Sequence, residues 1–175
     1  MRSLSMAALA TLLSSALATI AVASPPAEFE PFSFLIGEWN ASGSGQPGVG
    51  TGTAVFSRGL QDRVIVRTSY AEYAAAAGKP ASRHDDFMVI YPDAGVVRAD
   101  YYDSEGHVIR YSARSPGAGQ AVFLSEAVAG EPGFRLSYKL EGGVLKGEFA
   151  IAPPGTGQAF KPYLTWESAK AGLKK

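Results

Sequence analysis

His84, Asp85 and Asp86 form the densest group of potential metal ligands in the chain; a second histidine stands at His107 and there is no cysteine. Neighbours on a strand point to opposite faces, so of that run only His84 and Asp86 could share an ion. Zinc and iron sites draw three or four convergent ligands, so no metal is expected and the run reads as the polar start of a strand. Serine, histidine and aspartate are all present, but no serine sits in a G-x-S-x-G elbow, and a nucleophilic triad has no basis. Val64, Val66, Thr68 and Tyr70 alternate with Arg63, Ile65, Arg67 and Ser69. If the arginine face turns inward, Arg63 or Arg67 offers a ligand carboxylate a bidentate fork. Tyr91, Tyr101 and Tyr111 form the third group. A buried phenol needs a hydrogen-bond partner, whether a side chain, water or a ligand.

GSGQPG, Gly43 to Gly48, formally matches the dinucleotide-binding pattern, which requires a strand before it and a helix after it. GVGTGTAVF follows instead, another strand by its alternation, and the string reads as a hairpin loop.

The tyrosines are positioned by Phe87 to Ala113 (FMVIYPDAGVVRADYYDSEGHVIRYSA). PDAGV and DSEGH each fit a type I turn followed by a left-handed glycine, Gly95 or Gly106, giving three-residue hairpins with a bulge. Setting Pro92 against Val96 places Tyr91 opposite Val97, Val89 opposite Ala99 and Phe87 opposite Tyr101. Setting Asp103 against His107 places Tyr101 opposite Ile109 and Ala99 opposite Tyr111. The predicted inner face is then Phe87, Val89, Tyr91, Val97, Ala99, Tyr101, Ile109, Tyr111 and Ala113. Asp100 and Arg110 pair outside, where Met88 and Ile90 also face. A third hairpin spans Phe134 to Ile151, where Gly142-Gly143 suits a two-residue type I′ turn and sets Tyr138 opposite Gly147 and Leu136 opposite Phe149.

Around these hairpins, Pro25 to Ile36 begins as a linker and is able to make one helical turn, with Phe29, Phe32 and Leu35 or Ile36 on one side as a plug over a barrel end. Gly37 to Gly45 is a strand of small residues with a single large one, Trp39, which lets a backbone or ligand come close. Ala74 to Ser82 is a small, polar loop with the character of a lid. Phe160 to Ser168 closes the pattern with Trp166. About ten half-buried strands in up-and-down order predict an all-β, antiparallel closed barrel with a short N-terminal helical turn.

Met1 to Ala23 carries one basic residue, Arg2, an apolar run and small residues at Ala21 and Ala23, which reads as a secretory signal. Residues 24–33 then form a linker and 34–170 a single barrel domain. Without Arg2, 15 basic residues face 16 acidic ones, and near-neutrality argues against nucleic acid or an anionic membrane surface as partner. With no cysteine, stability must come from a core.

FLIGEW, the small-residue strand, the long loop after the third strand, the YYDSEG hairpin and the aromatic final strand together resemble the lipocalin-like, calycin-type barrels. The resemblance is to the nitrobindin-like group and related exported bacterial proteins. It implies a ten-stranded barrel with an internal cavity. Nitrobindins hold haem through a histidine near the start of the final strand; AFKPYLTW has Lys161 or Tyr163 there instead, so no haem is expected.

The reading is therefore an exported, periplasmic or secreted binding protein, with no membrane insertion after signal removal. It takes a small, largely apolar molecule, and Trp39, Arg67, Phe87, Tyr91, Tyr101, Tyr111 and Trp166 line the cavity. An enzyme using Tyr, Asp or His as acid and base in the same cavity is the alternative, as is a filled barrel acting through an outer surface near Met88 and Ile90.

Overall fold

Three glycine-bearing turns determine which side of each strand faces in. The computed structural model describes residues 24–76 and 78–172, so the signal reading of residues 1–23 lies outside the described residues. The strands are β1 (Gly37–Gly45), β2 (Gly48–Gly59), β3 (Val64–Tyr73), β4 (Ser82–Asp93), β5 (Val96–Asp103), β6 (Val108–Arg114), β7 (Gln120–Ser125), β8 (Gly133–Glu141), β9 (Val144–Ala152) and β10 (Lys161–Lys170). Each pairs antiparallel with its chain neighbour, and β1 with β10 closes the ring. Closure leaves no free edge. The all-β, ten-stranded barrel expected from the alternation is what forms.

The β8–β9 hairpin turns at Gly142 and Gly143, both at positive φ, and Tyr138 pairs with Gly147 and Leu136 with Phe149, as expected. The β5–β6 register also matches: Asp100 opposes Arg110, Tyr101 opposes Ile109 and Ala99 opposes Tyr111.

The β4–β5 hairpin differs by one residue. Ala94 (φ 49°) and Gly95 (φ 81°) form a two-residue turn, so Asp93 rather than Pro92 faces Val96. The side-chain period of a strand is two, so this slip reverses the whole of β4. Met88 and Ile90 are fully buried, whereas Phe87 is 40% exposed. Tyr91 lies on the outer side, where its hydroxyl donates to Asp100 (3.2 Å). Phe87 and Tyr91 thus do not line the interior, and Met88 and Ile90 offer no outer surface for a partner.

The N-terminal segment Ala27–Leu35 is a 3₁₀ helix. Its threefold period stacks Phe29, Phe32 and Leu35 on one side, and all three are buried. Phe32 packs on Phe123 of β7 (ring centroids 6.1 Å). The Trp39 indole N–H donates to the Leu35 carbonyl (2.8 Å), tying the plug to β1. This end of the barrel is filled core; the other end is not.

Candidate functional site: a cavity with a polar wall

The open end holds a cavity of about 640 Å³. Its volume comes from small side chains on adjacent strands: Ala41 and Gly43 of β1, and Gly50, Gly52 and Ala54 of β2. Across the barrel β8, β9 and β10 present Phe134, Leu136, Phe149, Ile151, Leu164 and Trp166. The space for Trp166 depends on one residue. A Cβ at Gly147 would lie 2.1 Å from Trp166 Cε2, so only glycine lets the ring lie over β9.

The third wall is polar. Arg67 of β3 is buried, its Nη2 2.5 Å from Asp86 Oδ1 and its Nε 3.1 Å from the same oxygen. Arg67 Nη1 donates to the Tyr138 hydroxyl (2.5 Å), Nη2 reaches Ser69 Oγ (3.3 Å), and Ser69 donates to Asp86 Oδ2 (2.5 Å). Burial opposes the guanidinium charge, but Asp86 outweighs it and raises the Arg67 pKa above its ordinary value. The carboxylate that the arginine face was expected to hold is therefore supplied by the protein itself. Arg63 lies in the turn before β3, and its own amide N–H donates to the Gly59 carbonyl (3.0 Å).

Tyr138 is the hub between this wall and the apolar one. Its ring meets Trp166 (5.9 Å), Phe56 (5.6 Å) and Phe123 (6.3 Å), each edge to face. Burial raises the Tyr138 pKa, with Arg67 pulling the other way. Burial likewise raises Tyr111 and Tyr101, Asp86 adding to the rise at Tyr101, so both stay protonated across the physiological range.

Nearer the mouth, His84 Nε2 is 3.0 Å from the Tyr101 hydroxyl and its Nδ1 is 3.2 Å from Glu105 Oε1. Tyr101 also donates to Asp103 (3.3 Å). Asp103 closes the β5–β6 turn by accepting from the Glu105 amide (3.0 Å) and from the His107 amide and ring (2.9 Å each). Burial works against the Asp103 charge, but these donors win and hold its pKa below the usual carboxylate value. His84, Asp103 and Glu105 have ligand atoms within 4.8 Å of one another and are the residues best placed to share a cation. His84 and Asp86, the pair that strand alternation put on one face, are 4.0 Å apart.

Of the seven residues expected to line a cavity, Arg67, Tyr101, Tyr111 and Trp166 do so. Trp39 lies beneath it in the plugged core, and Phe87 and Tyr91 face out through the reversed β4. Asp86, His84 and Tyr138, outside the expected set, also line it. The β8–β9 register had already turned Tyr138 inward, and the shared face of His84 and Asp86 was visible; only the β4 reversal hid where that face points.

The sequence matches no known protein-family model and no curated protein. The closed ten-stranded antiparallel barrel is consistent with a lipocalin-like fold. Lys161 is exposed, and Tyr163, 37% exposed with its ring edge on Phe149, lines the mouth of the cavity.

Proposed function

We propose that this protein is an exported, lipocalin-like and nitrobindin-related binding protein that holds a small, largely apolar molecule without converting it. The observation that carries the reading is the cavity of about 640 Å³, walled by aromatic and aliphatic side chains opposite a strip of glycine and alanine. A site of that size with a few convergent polar groups is the usual form of a small-molecule pocket. The buried charges are internally paired, Arg67 with Asp86, as suits holding a ligand. Export rests on the apolar N-terminal run with its small-residue end. The near-balance of charge supports a small molecule over nucleic acid as partner, with no metal or haem required.

The two tryptophans provide the test. Trp166 touches the cavity and Trp39 lies under the plug. N-phenyl-1-naphthylamine is expected to gain emission on binding, and a brominated alkane, which quenches only on contact, to quench tryptophan fluorescence in the Trp39→Phe variant and leave the Trp166→Phe variant unquenched. Equal quenching in both, or none in the parent, would overturn the reading. Native mass spectrometry of protein from its own compartment would then identify the retained molecule.

Catalysis in the same cavity is favoured by one observation, the inward Asp86 and His84 beside Tyr101. These are acid and base groups within reach of a bound molecule. Conversion of a bound ligand that is lost in Asp86→Asn while binding persists would move the assignment to an enzyme.

A further inference from the structure

We infer that the bound molecule is uncharged and carries an oxygen acceptor, a carbonyl or hydroxyl, to which the Tyr111 hydroxyl donates. This rests on the binding reading above and names the ligand's class. Tyr111 is 2% exposed and lines the cavity, yet its hydroxyl has no hydrogen-bond partner among the described residues. Of the other tyrosines lining the cavity, Tyr70, Tyr101 and Tyr138 are partnered, and Tyr73 and Tyr163, which have no partner among the described residues, are open to solvent rather than buried. A buried phenol left unpaired costs free energy unless a ligand or water satisfies it. Tyr138 accepts from Arg67, so its own proton is free to serve as a second donor beside Tyr111.

The charges around the cavity argue against an ionised ligand. Among the described residues that line it, the arginines and lysines are Arg67 and Arg83 alone. Arg67 is neutralised by Asp86, and Arg83 is held by Glu72 and Asp85 at 2.8 Å each. A carboxylate would enter past Asp103, Glu105 and Glu131 and find no unpaired cation to repay its desolvation. An amine fares no better: Asp86 is bound to Arg67 and Ser69, Asp103 to the β5–β6 turn and Glu105 to His84, and Glu131 at the rim is exposed, where solvent screens its charge. What remains is a neutral donor facing an apolar space.

The test compares one medium-chain skeleton with different ends: hydrocarbon, methyl ketone, primary alcohol, carboxylate and amine, each competed against the fluorescent probe at neutral pH. The ketone and alcohol are expected to bind about ten-fold tighter than the hydrocarbon and than either ion, one hydrogen bond's worth. In Tyr111→Phe that ten-fold preference over the hydrocarbon is expected to disappear with hydrocarbon affinity unchanged, whereas Tyr102→Phe on the outer face alters nothing. A carboxylate or amine binding as tightly as the ketone, or a ketone preference that survives Tyr111→Phe, overturns the inference and leaves the binding reading standing. Failure of every probe, the hydrocarbon included, removes the binding reading itself and the inference with it.

Discussion

Arg67 and Asp86 are an ion pair taken out of water, and what such a pair contributes depends on how it is broken. Removing one partner strands a charge, at a cost of about 3–5 kcal/mol, whereas replacing both with apolar residues of similar volume is often close to neutral. Asp86→Ala is therefore expected to lower the urea midpoint sharply, and the double variant Arg67→Met, Asp86→Leu to recover most of that loss. A double variant as unstable as the single would mean the pair is wanted for its net energy. The recovered protein should still lose ligand discrimination, because Arg67 also positions the Tyr138 hydroxyl. At this scale the sequence was informative in part. It placed Arg67 and Ser69 on one face of β3, and His84 and Asp86 on one face of β4. It could not show that the two faces meet, because ion pairing across strands depends on a register set elsewhere.

That register is set at the level of the hairpin. Ala94 occupies a left-handed conformation that costs a residue with a Cβ roughly 1 kcal/mol, and nothing about alanine signals a type I′ turn. Ala94→Asn restores the preferred Asn-Gly pair and is expected to stabilise by about 0.5–1 kcal/mol, a rise of a few degrees in Tm by calorimetry. A destabilised Asn variant would mean the turn is not of this type. Both faces of β4 are also apolar, with Phe87, Val89 and Tyr91 on one and Met88 and Ile90 on the other, so alternation could not arbitrate. The β5–β6 and β8–β9 turns carry Asp-Ser-Glu-Gly and Gly-Gly, whose backbone demands are unambiguous, and those registers were legible. Gly147 is the other element-level control. Gly147→Ala places a methyl where the Trp166 ring lies, and is expected to cost about 1–3 kcal/mol by overpacking and to shift the Trp166 emission as the ring leaves Tyr138. Unchanged emission and stability would show that β9 and β10 can separate freely.

Across the whole molecule, the buried phenols couple folding to alkaline pH. Tyr101, Tyr111 and Tyr138 all have raised pKa values, chiefly from burial. Above the ordinary tyrosine value of about 10 the unfolded chain releases these protons and the folded barrel does not, so stability falls as pH rises through and beyond that point. Their contribution is intact below it. Phenolate absorbance from these three should therefore emerge only with the cooperative loss of near-ultraviolet circular dichroism. Reversible ionisation of all eight tyrosines in a still-folded barrel would contradict their burial.

The amino-acid order alone determined the class of fold, the plug and two of the three hairpin registers, because period-two alternation and glycine turns are local constraints that each strand carries with it. Only the tertiary structure decided what the barrel encloses. Closing ten strands brought β3 and β4 face to face with β8 and turned Asp86 and His84 inward. Closure also neutralised the arginine that had looked like an anion site and left the hydroxyl of the buried Tyr111 facing the cavity without a partner among the described residues. Those outcomes depend on strands far apart in the chain meeting across a cavity, and no local pattern encodes that distance.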